Sequence, residues 1–288
     1  MAHPPLENNP GASAPMNIEM TETITEARIA VIGAGAMGGA FAAGLVSAGI
    51  DPSHISVANP HMERLEPLKA LGMFVTTDNA AVVTGADLVV IAVKPWIVKS
   101  VVEEIRDSID YDTQEVTCIV AGIPGEELMQ WWRRGDDERL PALSISMPNT
   151  AMSVGKSMTF NVALQGDAPL AMQSLAMMGR VMQIPERLLP AATALASCGI
   201  AYALRYVRAA TEGGVQMGFR ASEAQEIVAA TIEGAAALLS RPDAHAEAEI
   251  DKVTTPGGVT IRGLNAMERE GFTNAVIAGL LASWSGGL

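Results

Sequence analysis

Aromatic side chains are scarce in this chain: 5 Phe, 4 Trp and 3 Tyr make up 4% of its 288 residues. A core with so few rings packs by close backbone approach, which the 27 glycines suit. Cysteine is nearly absent. Cys118 and Cys198 form no C-x-x-C pair, so no disulfide framework is implied and a reducing cytoplasm is the default setting. The four histidines (His3, His54, His61, His245) are scattered, and none stands in metal-ligand spacing with another His, Cys or carboxylate. No metal site is expected. Positive charge is in deficit, with 19 Lys and Arg against 32 Asp and Glu and a net charge of −13. That argues against a nucleic-acid partner, which needs a basic footprint to displace counterions. An anionic cofactor remains compatible, because backbone N–H groups hold phosphate inside an acidic protein.

What is present is apolar material, 49% of the residues, enough for a sizeable core in one large domain or two ordinary ones. Residues 29–50 carry no charge, but glycines 33, 35, 38, 39, 44 and 49 argue against a membrane span and for a strand, a tight turn and a closely packed helix. No membrane partner is expected. Residues 1–26 carry Pro4, Pro5, Pro10 and Pro15 with no continuous apolar run and no basic start. They read as a disordered tail, neither signal peptide nor helix.

From residue 27 to about 187 strands and helices alternate. "RIAVI", "ISVAN" (55–59), "MFVT", "ADLVVIAVKP" (86–95), "EVTCIVAGI" (115–123) and "ALSISM" read as strands, and "GKSMTFNVAL" (155–164) as an edge strand. "MERLEPLKALG", "WIVKSVVEEIRDSI" and "GEELMQWWRR" read as helices. This alternation predicts an α/β fold: a parallel sheet with helices on both faces, of Rossmann type. From 188 to 288 the texture turns to long alanine-rich helical patterns, with Ser222 marking one helix start. A separate all-helical domain is expected there, with apolar faces broad enough for a partner subunit to cover.

Gly33-Ala34-Gly35-Ala36-Met37-Gly38 fits G-x-G-x-x-G, follows a buried strand and opens a helix. In that context the pattern predicts a dinucleotide turn. Gly33 permits the turn, Gly35 admits the pyrophosphate to the backbone, and Gly38 lets helix and strand pack. NAD sites usually place an acid at the end of the second strand; here that end is Asn59, with His61 and Arg64 beyond it, which leans toward NADPH with NADH as the alternative. Lys94 and Pro95 end the fourth strand and Ala121-Gly122 the next, where the ligand crevice of such a sheet lies.

A second motif is "VTTPGGVTIRGL" (253–264), a break between helical patterns. Pro256 supplies no N–H, while Gly257 and Gly258 are expected to aim successive N–H groups at one point as an anion nest. Val259 and Thr260 open the following helix, with the Thr260 hydroxyl near the same point. That suits a carboxylate; a plain interhelical turn is the alternative reading.

"VTTPGGVTIRGLNAME" is similar to the C-terminal signature of pyrroline-5-carboxylate reductases. In family order, "VIGAGAMGGAFAAGL", "VVIAVKP", "VAGI", "MPNTAMSVGKSMT", "PAATALASCGIAY", "EGGVQMG" and "GFTNAVIAGL" extend the resemblance over about 27–285. The resemblance implies a dinucleotide-binding domain followed by a helical dimerisation domain, a homo-oligomer built on a helix-interleaved dimer, and reduction of 1-pyrroline-5-carboxylate to L-proline with NAD(P)H. It implies that Gly257, Gly258, Val259 and Thr260 bind the substrate carboxylate, that Thr260 also meets the ring nitrogen, and that Met147, Pro148 and Asn149 lie near the nicotinamide. It further makes Asp251, Lys252 and Val253 candidates for residues lent by a neighbouring subunit. The chain departs from the family pattern at Ile145 (usually Arg), Ala151 (usually Pro), Ala196 to Ile200, and at the basic Arg205 and Arg208.

Two other functions fit less of the chain. A paralogous reductase would keep the loop and take another cyclic imine acid, and a non-catalytic dinucleotide-binding protein would not need the loop. A β-hydroxyacid dehydrogenase needs a helix-borne lysine, and the C-terminal half offers only Lys252, with no helix expected around it.

Overall fold

The computed structural model describes residues 22–135 and 138–285. Eight strands form one sheet: β1 Ile29–Ile32, β2 Ile55–Ala58, β3 Phe74–Thr76, β4 Leu88–Ile91, β5 Glu115–Cys118, β6 Ala142–Met147, β7 Ser157–Gln165 and β8 Gly179–Gln183. Their spatial order is β3-β2-β1-β4-β5-β6-β7-β8. All neighbours are parallel except β6 and β7. The order reverses between β1 and β4, where Ile29 to Ile32 pair with Leu88 to Ile91. In open α/β sheets the ligand crevice forms at such a switch point.

Every residue of β1 and β4 is buried, as expected of parallel strands covered on both faces. Ile29, Val31, Val57, Leu88 and Val90 share one core with Phe41 and Leu45 of the helix Ala36–Ser47 and Leu175 of the helix Pro169–Ala176. Glu115 at the start of β5 is buried, and its two carboxylate oxygens accept from the N–H groups of Leu170 (3.1 Å) and Ala171 (3.0 Å), capping that second helix. Burial raises the Glu115 carboxyl above its ordinary range, and the two N–H bonds oppose the rise.

The chain divides into two compact units between Thr193 and Ala194. That is later than the boundary expected at 187, because Leu189 and Ala192 are buried and Thr193 Oγ1 lies 3.2 Å from Met147 Sδ, within the first unit. The tail expected through 26 lies outside the described residues up to 21. Residues Glu22–Glu26, expected to be unstructured, form a short helix, and Ile24 is fully buried in the sheet core. The strand expected over 115–123 ends at Cys118, although the Ile119 N–H still donates to Ile91 O at 2.8 Å. β7 is not the edge strand: β8 pairs outside it, and Gly179 makes the approach possible, since a Cβ there would lie 2.1 Å from Ser157 O.

The described residues of the second unit form no strand. Helices Gly199–Gln216 and Ala221–Leu239 pack together, with a Cβ at Gly214 falling 2.8 Å from Ala224 Cβ. Ser222 lies inside the first turn of its helix; Arg220 is the cap residue, its N–H donating to Glu223 Oε2 at 3.1 Å. Helix Phe272–Ser285 meets the first of these through Tyr202 Oη, which donates to Gly279 O at 3.2 Å. Helices Ala246–Lys252 and Val259–Arg269 flank the glycine loop. The segment Thr193–Cys198 is π-helical rather than α-helical. Thr193 Oγ1 donates to the Leu189 carbonyl (2.8 Å), a side-chain bond of the kind that perturbs a helical turn. Among the described residues one helical run, Glu186–Gln216, is long and apolar enough by length and composition to cross a membrane.

Candidate functional site

β1 runs into Gly33, whose φ of +104° is open to glycine and strained for other residues. A Cβ there would lie 2.6 Å from Ala92 O. Gly38 is tighter, with its Cβ position 1.9 Å from Gly33 O and 2.9 Å from Ala92 Cβ, so helix and strands meet on bare backbone. Gly35 caps the helix Ala36–Ser47, and a Cβ there would meet nothing within 4 Å. The space it leaves is open, and the first N–H groups of the helix have no intrahelical acceptor. No acidic residue stands in that first turn. Positive helix potential and unspent donors therefore coincide at an open cradle, which fits a pyrophosphate.

The cradle is part of a groove of about 850 Å³. Gly33, Gly35, Ala36 and Met37 line it from the turn, Asn59, His61 and Arg64 from beyond β2, and Lys94 from the end of β4. Asn59 is buried; its Oδ1 accepts the His61 N–H (2.9 Å) and its own N–H donates to Thr76 O (3.1 Å). The end of β2 is thus shaped by an amide, with no carboxylate to repel a 2′-phosphate. Glu63, 3.6 Å from His61 Nδ1, is the nearest acid in sequence and does not line the groove. Lys94 caps the helix Pro95–Ile105, and Pro95 fixes its first turn.

Other residues expected at the cofactor lie outside the groove lining. Gly38 and Pro95 do not line the groove and act on its frame. Ala121 and Gly122 are not among its lining residues; Gly122 has φ +80° in the bend after β5, where Ile119 is the residue that reaches the groove. Asn149 is turned into its own loop: its N–H donates to Ser157 Oγ (3.2 Å) and its Oδ1 accepts from the Ala151 N–H (3.1 Å). That places Thr150, Met152 and Ser153 on the groove instead. Sequence reasoning also missed Asn79, Ile97, Ser100, Val101 and Glu104. The last four share one helical face, a spacing readable in the sequence, while the meeting of Asn79 with Glu104 is a product of the fold.

The glycine loop belongs to the second unit. Thr255-Pro256-Gly257-Gly258 is a turn closed by the Gly258 N–H donating to Thr255 O at 2.9 Å, with Gly257 at φ +70°. Proline second and a positive-φ glycine third are the marks of a type II turn. The geometry differs from the expected nest of two open glycine N–H groups: the Gly258 N–H is engaged by the turn. Gly258 instead caps the helix Val259–Arg269, and the open donors are the N–H groups of that helix's first turn, starting with Val259 and Thr260. A side chain at 258 would strike Thr255, since its Cβ would lie 2.4 Å from Oγ1 and 3.0 Å from O. Val259 is largely exposed.

Lys252 ends a helix, contrary to expectation, and its Nζ is paired with Glu249 Oε1 at 2.7 Å. Ile145, at the position where the family usually has arginine, is fully buried in β6. Arg208 pairs along its own helix with Glu212 at 3.4 Å. Burial pushes the Cys118 thiol up to about 12, so it carries no thiolate at neutral pH. Among the described residues no three His, Cys, Asp or Glu side chains gather as a metal would require.

The comparisons with known proteins divide along the same lines. Residues 186–286 match the family described as pyrroline-5-carboxylate reductase dimerisation, and residues 28–119 match that described as NADP oxidoreductase coenzyme F420-dependent. The chain is 33% identical to pyrroline-5-carboxylate reductase 2 of Dictyostelium discoideum, over 91% of this chain and 93% of that one. It is 35% identical to reductase 1 of the same organism over 88% of this chain, and there it spans about half, 48%, of the relative's length. The Arabidopsis thaliana reductase is 30% identical over 87% of this chain and 92% of its own. Among solved structures, the Coxiella burnetii pyrroline-5-carboxylate reductase superposes with a TM-score of 0.82 at 27% identity, over 90% of this chain and 96% of that one. The Plasmodium falciparum enzyme with NADP bound shares the fold, with a TM-score of 0.78 at 22% identity, over 91% and 97%. An open glycine turn, a closed Pro-Gly-Gly turn and full-length relatives above 30% identity agree: the chain belongs to the pyrroline-5-carboxylate reductase family.

Proposed function

We propose that the protein reduces 1-pyrroline-5-carboxylate to L-proline, the last step of proline biosynthesis, using NADPH, with NADH as the alternative donor. The observation that carries this reading is the closed Thr255-to-Gly258 turn, which opens directly into a helix with Thr260 in its first turn and so suits an anion at that N-terminus. The relatives supply the ring chemistry, since they are pyrroline-5-carboxylate reductases over nearly their whole length. The substrate carboxylate sits on the N–H groups of Val259 and Thr260, with Gly257 and Gly258 shaping the seat. The Thr260 hydroxyl accepts from the protonated ring nitrogen and so orients the imine. When bound, the reduced nicotinamide supplies a hydride to the imine carbon. The C=N π electrons then become the nitrogen lone pair, and the amine takes its further proton from solvent. A protonated imine is already electrophilic, so the residues need only orient it.

Gly33, Gly35, Ala36 and Met37 hold the pyrophosphate over Gly38, and Asn59, Arg64 and Lys94 face the ribose phosphate side. Ala121, Gly122 and Asn149 support the nicotinamide end from their loops. The exposed apolar faces of helices 199–216, 221–239 and 272–285 are covered by a second copy in a helix-interleaved dimer, which removes the need for a lipid partner along 186–216. The two free cysteines fit the cytoplasm as its place of work.

The test is steady-state oxidation of NADPH with the five-membered and six-membered cyclic imine acids, for wild type and Thr260→Ala. Turnover of the five-membered ring is expected, with loss of one orienting hydrogen bond in the variant lowering kcat/KM roughly tenfold or more. Turnover of the larger ring alone would move the substrate assignment. Cofactor binding without turnover of either ring would leave a dinucleotide-binding protein and end the enzyme reading.

A further inference from the structure

The groove is electrostatically lopsided in a way the glycine turn does not require. Arg64 stands on the wall beyond β2. The facing wall is one side of the helix Pro95–Ile105, presenting Ile97, Ser100, Val101 and Glu104. Glu104 meets no cation within ion-pair distance among the described residues. Its Oε2 accepts from Asn79 Nδ2 at 2.9 Å, and Asn79 also lines the groove. Its sequence neighbour Glu103 does the ordinary thing and pairs along the helix with Lys99 at 4.0 Å. A carboxylate steered into a cofactor groove repels phosphate, so the phosphate belongs on the Arg64 wall. Ile97 and Val101 suit the face of a flat ring, and a carboxylate beside them accepts from an amino group on that ring's edge.

Resting on the dinucleotide reading of this groove, we propose that Glu104, held in place by Asn79, accepts the 6-amino group of the cofactor's adenine and makes the protein selective for a 6-aminopurine. The Asn79 bond occupies Oε2 and leaves Oε1 to receive the N–H. A 6-oxopurine turns a carbonyl oxygen toward the same carboxylate. Two acceptors then face each other with no proton between them, the arrangement that gives polar sites their sharpest discrimination.

Equilibrium titration of the full chain with oxidised NADP and with its hypoxanthine counterpart tests this without turnover. Wild type is expected to bind the adenine form about tenfold or more tightly. Glu104→Ala is expected to bring the two forms within about threefold of each other, chiefly by weakening the adenine form. Asn79→Ala is expected to narrow the gap part of the way, as a positioning residue should. Arg64→Ala is expected to weaken both forms alike and leave their ratio intact. Equal binding of the two forms by wild type, or an equal loss of both in Glu104→Ala, overturns the assignment while the dinucleotide reading stands. Binding of neither form by wild type overturns that reading and this one together.

Discussion

The two units use similar apolar material in opposite ways. In the first, all of β1, β4 and β5 are buried, and Phe41, Leu45 and Trp132 are completely enclosed. In the second, Ala194, Gly214 and Ala224 are the only described residues that are buried, while Leu204, Met217, Ile277 and Leu281 are each more than half exposed or close to it. A helical unit without an interior of its own is half of a core. Its helices are held to one another by small-residue contacts such as Gly214 with Ala224 and by the Tyr202 anchor, and their outer apolar faces are exposed in the single chain. On the proposed dimer, stability in the first unit is a property of one chain, and in the second it is a property of a concentration.

The largest expected effect breaks that contrast directly. Ile277→Asp puts an unpaired carboxylate on an exposed apolar face, 51% exposed in the single chain. It is expected to raise the dimer dissociation constant by about a hundredfold or more, read by analytical ultracentrifugation. A variant that stays dimeric at wild-type concentrations would show that another face makes the contact. Leu45→Ala sharpens the other side. Leu45 is wholly buried, and its loss should cost about 3 kcal/mol in urea unfolding of the first unit, independent of protein concentration. A concentration-dependent cost there would mean that the two units do not differ as described.

The smallest effect is a pH dependence. The Glu115 carboxyl is raised in the fold by burial, so the folded state binds its proton more tightly than the unfolded chain. Its stabilising contribution is therefore fully present below the unfolded value and falls as pH rises through the folded one. Glu115→Gln should flatten that part of the stability curve above about pH 4, and an unchanged slope would remove Glu115 as its source.

How much of this was legible depends on whether the signal lay along the chain or across it. β1 and β4 are unbroken apolar runs because both faces are covered, and the glycine turn announces itself between a strand and a helix. β8 has no such run. Only Val181 of its five residues is buried, so its place beyond β7 is set by partners and by the room Gly179 leaves. The helix Glu22–Glu26 is five residues long, too short to show a period, and is fixed by Ile24 entering the core. In the site, the glycines could be read and the pairing of Asn79 with Glu104 could not, since the two are 25 residues apart and are brought together only by the fold. The Pro-Gly-Gly pattern predicts a turn, but which N–H closes it is a matter of backbone angles.

The bond from the Gly258 N–H to Thr255 O closes the loop on its own backbone. A seat already folded loses little conformational freedom when it is filled. In its proposed role the loop is then a rigid handle for an acid group, indifferent to the ring that carries it. Substrate choice among cyclic imino acids would have to be written elsewhere, in side chains that touch the ring. Changes within 255–259 should alter how tightly any such acid is held, and ring preference should respond to changes at side chains that meet the ring, Thr260 at the ring nitrogen among them.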